Sequence, residues 1–507
     1  MGKDDLRVGE MFAGVGGFRL GLEGVPSKDW ETKFLEFEKT GFKVVWSNQW
    51  EPGSSKQWAS KIYEERFGSE GHTNEDIHDI AFNEGEMRET IREQIPELDV
   101  LVGGFPCQDY SVARTISGEL GIKGEKGKLW IPIRNIIRHK RPRPKVVLLE
   151  NVPRLLNSPA NARGLNFAII LNDLLRMSYH VEWRVINAAE YGMPQQRKRV
   201  FILAYRNSNY GTPDINGKPN FGCKKAGVRS TIKKWLIDGD GVASSPISKA
   251  FPCKGEFPKR AEFLPELDEF GKGNSPFGNV GYAWKKKKHS MPDGPAITDV
   301  NMFWTTKVKP DYDGEQITLG DVLEEKFDKK YEVDASRIDE WNYAKGNKNE
   351  FRIRKSDRDN VDPELLATYD LCMTEPFAER AGLWSQHRPK FMAAVGNDKF
   401  YRYDEGTMGL DSTEKASRTV VTAEIGSSPS RMRHIFEDSP GRFRRLSPME
   451  TERLNMFPDN WTKMNDEKGK EIPDSKRGFM MGNALVVGII QRLREPIGEL
   501  IRSRRSV

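Results

Sequence analysis

Through the first 206 residues, short apolar runs that end in glycine or in an acid alternate with stretches whose apolar positions recur at helical spacing. Leu6–Phe12, Lys43–Trp50, Asp99–Val102, Lys145–Leu149, Val181–Asn187 and Arg199–Tyr205 read as strands, with a short third strand at His72–Ile77. Helices are expected at Phe18–Leu22, Ser54–Phe67, around Glu84–Gln94, at Lys128–Arg138 and at Asn166–Met177. Strands that alternate with helices in this way predict an α/β fold built on a largely parallel sheet. Residues 207–416 lose that rhythm and read as loop-rich. A further apolar helix follows around Gly482–Leu493.

A chain of 507 residues exceeds one ordinary core, so two domains of about 100–250 residues are the default, one larger than the other. The 80 Lys+Arg against 74 Asp+Glu leave a net charge of only +6, so binding a polyanion requires the charges to be segregated. The four cysteines, at 107, 223, 253 and 372, include no CxxC pair, which argues against a zinc site and against a disulfide framework. A reducing, cytoplasmic compartment is expected. The opening MGKDDLRVGE has no apolar signal core and no later window is apolar enough to span a bilayer, so neither secretion nor membrane insertion is expected.

Candidate chemistry clusters at the carboxyl ends of the expected strands, where open α/β sheets collect ligands. Cys107 follows a strand and Gly103-Gly104 within LVGGFPCQDYS, a polar turn in which a thiol can reach substrate and ionise. A buried structural cysteine is the bland alternative. Glu150 stands immediately after the apolar run Lys145–Leu149. Arg197 and Arg199 lie two apart as a strand begins, and so share one face. Near the amino terminus, FAGVGG joins a strand to a helix through glycines that let a ligand approach backbone closely, although a tight structural turn explains it equally well. Gln49-Trp50-Glu51 ends the second strand where a Rossmann-type unit places the polar group that holds a ribose, and the Trp50 indole there can stack on adenine, although a core tryptophan explains it equally well.

Six segments occur in the order and spacing of one family: FAGVGGFRLGLE at 12–23, GGFPCQDYS at 103–111, ENVPRLL at 150–156, QQRKRVFIL at 195–203, RRLSPMETERLNMFPDNW at 444–461 and MGNALVVGII at 481–490. Together they resemble the DNA (cytosine-5) methyltransferases of bacterial restriction-modification systems, over about residues 6–206 and 417–495. The resemblance implies a Rossmann-like, S-adenosylmethionine-dependent methyltransferase sheet formed by residues 1–206 and 480–507. It also implies a smaller, loop-rich target-recognition domain at 207–479, which includes the lysine run 285–288. Cys107, Glu150, Arg197 and Arg199 become the expected catalytic set. Phe12, Gly14, Gly16, Gly17, Gln49, Trp50, Asp76, Ile77, Leu129 and Asn483 are the expected contacts of S-adenosyl-L-methionine. Gln108, Ser111 and Thr419 are the expected DNA contacts, with 108–127 as a lid and Ser427–Arg433 adding donors. One departure stands out: members usually carry Glu where this chain has Gln49, which places cofactor affinity, rather than identity, in question.

The implied reaction explains these residue types. Cytosine C5 is a poor nucleophile, so a Cys107 thiolate added at C6 would turn the ring into an enamine-like nucleophile. Glu150 would serve N3 and Arg199 would serve O2, where electron density grows in the transition state. The target base must leave the duplex stack to be reached. The expected partners are double-stranded DNA and a restriction endonuclease acting on the same site; the chain is expected to act as a monomer, without metal. A tRNA cytosine-5 methyltransferase and a catalytically silent DNA-binding regulator are the rival readings. The long recognition segment argues against the first, and the intact Cys107, Glu150, Arg197 and Arg199 against the second.

Overall fold

The computed structural model describes residues 5–35, 40–82, 87–105, 129–206, 245–255, 261–288, 298–335, 338, 351–353, 358, 361–374, 400–402, 410–426 and 434–502, with backbone alone at 286–288, 298–299, 351–353, 372–374 and 400–402. These residues divide into two compact units, one of 1–317, 452–464 and 483–507 and the other of 318–451 and 465–482.

The first unit is built on a ten-stranded sheet. β1 (Leu6–Met11), β2 (Phe42–Asn48), β3 (His72–Thr73), β4 (Val100–Gly104) and β5 (Val146–Asn151) run parallel in the order β3-β2-β1-β4-β5. Next come β7 (Lys198–Arg206), antiparallel to β5, and β6 (Tyr179–Asn187). Strand order reverses between β1 and β4, which opens a crevice at their carboxyl ends. Helices α1 (Gly17–Glu23), α2 (Trp58–Phe67), α3 (Ile77–Ala81), α4 (Met87–Gln94), α5 (Trp130–His139) and α6 (Leu165–Arg176) fill the connections. In α5 the buried residues Trp130, Ile133, Ile136 and Ile137 recur at helical spacing. Each large apolar side chain buried in this way stabilises the fold by about 1.5–3 kcal/mol. They join Val147, Leu149, Val200 and Ile202 of the sheet in one core.

Two expectations change within this unit. The third strand stops at Thr73 instead of reaching Ile77, because the Asp76 carboxylate accepts from the His78 N–H and starts α3. β5 runs on through Glu150 and Asn151, so Glu150 is the penultimate residue of the strand and does not follow it.

The larger difference lies beyond residue 206. β10 (Val280–Lys288) pairs antiparallel with β6, β11 (Thr298–Thr306) with β10, and β9 (Glu262–Phe263) with β11, so the central sheet continues through a region expected to open the second domain. The short pair β8 (Cys253–Lys254) and β12 (Lys309–Pro310) and the helix α7 (Pro246–Ala250) lie in the same unit. Here VGYAW is a short apolar run, buried from Val280 to Ala283, but the lysines that follow mask it. The lysine run is therefore on a strand of the first unit, with the side chains of 286–288 outside the described residues. α12 (Val487–Arg502) completes this unit, with Ile490 seated against Gly21 of α1.

The second unit holds α8 (Leu319–Val322), α9 (Pro363–Thr374), the pair β14 (Phe351–Ile353) and β15 (Phe400–Arg402), and a three-stranded sheet. That sheet comprises, in spatial order, β13 (Glu332–Val333), β17 (Arg442–Arg444) and β16 (Phe436–Ser439). α10 (Pro448–Leu454) leaves this unit and α11 (Asp474–Asn483) closes it. Arg444 is almost fully buried, sandwiched by Phe327 and Phe436. Its Nη1 and Nη2 donate to Glu450 Oε2 and Oε1 at 2.9 and 2.7 Å, and its Nε donates to Asp438 at 3.0 Å. Glu450 also accepts from the N–H groups of Glu324 and Ser447, so the RRLSPME segment is a buried ion pair with its remaining acceptors filled.

Candidate active site

The carboxyl ends of the parallel strands come into line. Met11 pairs with Asn48 on one side and Gly103 on the other, Gly104 pairs with Glu150, and Glu150 pairs with Phe201. Because β7 is antiparallel, its first residues, Lys198 and Arg199, arrive at this same edge.

Leaving β1, the chain turns through Phe12 (φ 54°), Gly14 (φ 56°) and Gly16 (φ 89°) into α1. A Cβ built on Gly14 would meet nothing within 4 Å, whereas one on Gly16 would strike the Phe67 ring. Gly14 thus leaves its backbone open to a ligand and Gly16 serves packing. Gly17 opens α1 beneath Leu485 and Phe457. The Gly14 N–H donates to Gln49 Oε1 at 2.7 Å, and Gln49 Nε2 has no partner among the described residues. Beside it, the Trp50 indole is 37 % exposed. Asp76 and the buried Ile77 form the start of α3, which follows β3. Leu129 caps the amino end of α5, which runs back toward the start of β5, so it faces the same edge. Asn483 ends α11 and is exposed.

Beneath this turn lies a buried polar network. Glu10 Oε2 accepts from the Tyr63 hydroxyl at 2.9 Å, and Tyr63 stacks on His72, which bridges the Ser47 and Ser60 hydroxyls at 2.8 Å each. Burial drives the Glu10 carboxyl up to about 7, against the pull of Tyr63 and Arg19. Burial and the Arg19 charge drive His72 down to about 4. Trp461 ties the turn from another direction, donating from Nε1 to the Val15 carbonyl at 2.8 Å. Gln195 Nε2 holds the segment that carries Trp461, donating to Leu454 O at 2.7 Å and Asn455 Oδ1 at 2.8 Å.

Glu150 and Arg199 meet directly, with Nε to Oε1 at 2.8 Å, and both side chains are largely shielded from solvent. A Cβ on Gly104 would come within 3.0 Å of Glu150 Oε2, so the second glycine of the GGFPC segment leaves room for the carboxylate. Arg197 is buried beside the pair and, with Arg199, pulls the Glu150 carboxyl down. Burial outweighs both, and the carboxyl is held above its ordinary value. A carboxyl placed between desolvation and two cations can exchange a proton with a bound base. Asn151, next along β5, donates from Nδ2 to the Phe105 carbonyl at 3.2 Å and accepts from the Val152 N–H at 2.8 Å. It therefore anchors the last described residue before the segment that carries Cys107. Cys107, Gln108, Ser111, the remaining lid positions to 127, and Ser427–Arg433 lie outside the described residues.

Thr419, in the second unit, lies between Arg418 and the buried Val420. Arg418 is fixed by two hydrogen bonds to Asp411, at 2.8 and 2.6 Å, and its carbonyl lies 3.1 Å from His434 Nε2. His434 Nδ1 is 2.8 Å from Glu424 Oε1. Burial opposes both charges of that pair, yet mutual attraction prevails, lowering Glu424 and raising His434.

Asn151, Gln195 and Trp461 lie within the recognisable segments, yet the sequence alone assigns none of the three a role. A signal was present for Asn151, a polar side chain at the end of an apolar run that must find a partner, whereas Gln195 and Trp461 stand in polar stretches that give none.

Known proteins resemble this chain over nearly its whole length. Residues 6–238 and 283–499 match the model of the C-5 cytosine-specific DNA methylases. The chain is 35 % identical to the type II methyltransferase M.Sau3AI of Staphylococcus aureus over 502 residues, 98 % of this chain and 96 % of that protein. It is 23 % identical to M.NlaIV of Neisseria lactamica over 96 % of this chain and 97 % of that one. With M.HhaI of Haemophilus parahaemolyticus the identity is 31 %, over 40 % of this chain and 50 % of that protein. Nearly the whole chain is thus accounted for by one family, and it belongs to the C-5 cytosine-specific DNA methylases.

Proposed function

We propose that the chain is the modification methyltransferase of a restriction pair, acting as a monomer on duplex DNA and methylating one cytosine within a specific sequence. The observation that carries the chemical assignment is the Glu150–Arg199 pair, seated over Gly104 at the start of the segment that leads to Cys107. With the target base flipped out of the stack, the Cys107 thiolate adds to C6. Glu150, whose carboxyl burial holds above its ordinary value, meets N3 and exchanges a proton with it as electron density grows there, and Arg199, backed by Arg197, stabilises the charge that grows at O2. C5 then takes the methyl group, loses its proton and, as the double bond re-forms, expels Cys107.

S-adenosyl-L-methionine supplies the methyl as an electrophile. The open face of Gly14, the exposed Trp50 indole and the spare donor of Gln49 fit a nucleoside with a ribose and an adenine ring. Phe12, Gly16, Gly17, Asp76, Ile77, Leu129 and Asn483 complete the proposed cofactor contacts, while Gln108, Ser111 and Thr419 contact DNA. Base reading is assigned to the second unit, 318–451 and 465–482, in which a half-buried ion pair at Arg418 and the buried His434–Glu424 pair brace the backbone on either side of Thr419. The deciding assay is transfer of labelled methyl to duplex DNA and to tRNA, with the product base identified by mass spectrometry. Label in 5-methylcytosine of duplex DNA supports the reading, and label only in tRNA overturns it.

A further inference from the structure

On the opposite edge of the first unit, where β4 and β5 begin, five arginines and a histidine converge. Arg88 and Arg92 lie one turn apart on α4, Arg138 and His139 end α5, and Arg141 and Arg143 stand on the connection to β5. Together they line a cavity of about 300 Å³ with no carboxylate in its wall. Local structure explains part of this. Arg138 complements the carboxyl end of the α5 dipole. Arg141 donates to the carbonyls of Arg138 and Lys140 at 2.6 and 2.8 Å, and Arg143 to that of Met177 at 3.3 Å.

None of these contacts neutralises charge. Elsewhere in the unit Arg7, Arg19, Arg199 and Arg453 each meet a carboxylate. Among the described residues, none of these five arginines forms an ion pair. Arg143 Nε is in addition buried without a hydrogen-bond partner among them. Like charges one helical turn apart, as at Arg88 and Arg92, destabilise a helix, so the fold gains nothing from placing them there.

We propose that this cluster is a second ligand site that binds an oligophosphate group, such as the triphosphate of a free nucleotide. Planar guanidinium forks match pairs of phosphate oxygens, and three or four negative charges would offset the excess. The cavity lies at the small end of ligand pockets, enough for such a group, whereas duplex DNA requires an extended groove. Burial and the neighbouring arginines hold His139 down at about 4, so a bound polyanion should raise it.

Calorimetry on the full chain tests the site, first with inorganic triphosphate, which cannot enter a nucleoside site, and then with a nucleoside triphosphate. Binding of inorganic triphosphate that weakens at least tenfold in Arg88→Ala/Arg141→Ala, with methyl transfer unchanged, supports the proposal. The His139 imidazole, assigned by NMR with His139→Gln, should titrate at higher pH in the triphosphate complex. Tighter binding of the nucleoside triphosphate, also lost in the double variant, identifies a nucleotide as the ligand, and equal binding of the two identifies the phosphate chain alone. No binding at millimolar triphosphate, or binding indifferent to the double variant, overturns the site. Displacement of triphosphate by duplex DNA at this cluster overturns it in favour of a second DNA surface.

Discussion

Glu10→Gln isolates one buried charge beneath the glycine-rich turn. In the folded chain Glu10 has no solvent exposure and its carboxyl sits at about 7, against an ordinary 4.5. A carboxyl raised by folding contributes stability that is fully present below the unfolded value and is lost as pH rises through the folded one. Applied between pH 5 and pH 8, that displacement removes about 2.5 kcal/mol of stability, at roughly 1.4 kcal/mol per pKa unit. Glutamine keeps an acceptor for the Tyr63 hydroxyl, 2.9 Å away in the native chain, but cannot ionise. Urea unfolding of both proteins at pH 5 and pH 8, followed by tryptophan fluorescence, gives the stability difference at each pH. The variant should gain on the native chain by about 2.5 kcal/mol from the lower pH to the higher. Any constant penalty for the extra amide N–H cancels in the comparison. A difference that stays flat within about 0.5 kcal/mol would refute the reasoning and place Glu10 in the ordinary carboxylate range.

Three further substitutions probe the site. Gly14→Ala should strain the fold by only about 1–2 kcal/mol, since its Cβ meets no atom, while S-adenosylmethionine binding by calorimetry weakens at least tenfold; unchanged binding would mean that the turn faces elsewhere. Gln49→Glu keeps an acceptor for the Gly14 N–H and offers a second charged oxygen to the ribose, so cofactor affinity should rise by about fivefold, the gain from about 1 kcal/mol in one hydrogen bond; weaker binding would show a site adapted to the amide. Asn151→Ala leaves the Phe105 carbonyl and the Val152 N–H without their partner, at a cost of about 1–3 kcal/mol. It should lower kcat at least tenfold with little change in KM for the cofactor, and an unaltered kcat in steady-state assays would remove the anchoring role.

Periodicity made the βα half of the molecule legible, because buried parallel strands such as Val146–Leu149 are continuous apolar runs and their boundaries are marked by glycine or an acid. Element ends were less visible. β3 yields to α3 at Asp76 because one side-chain cap outweighs the β-branched Ile77. The hairpin β10–β11 was hidden because only the first half of VGYAWKKKK is apolar, and its partner β6 was not yet known to have a free edge. Of the candidate site, the six segments pointed to Glu150 and Arg199, which the fold brings into contact, while Cys107, Gln108 and Ser111 lie outside the described residues. Tertiary links such as Asn151 to Phe105, or Trp461 to Val15 across 446 residues of sequence, have no spacing rule to reveal them. The arginine cluster is scattered over three segments, in a chain whose net charge of +6 gives no hint of it.

The assignment of chemistry to Cys107 is tested most directly by incubating the chain and S-adenosylmethionine with duplex DNA that carries 5-fluorocytosine at the methylated position, then mapping the adduct by peptide mass spectrometry. Fluorine at C5 cannot leave as a proton, so elimination of the cysteine is blocked after methyl transfer. The account predicts a covalent adduct, one base plus one methyl, on Cys107, formed only when the cofactor is present and lost in Cys107→Ser. No adduct, or one on Cys223, Cys253 or Cys372, would contradict it.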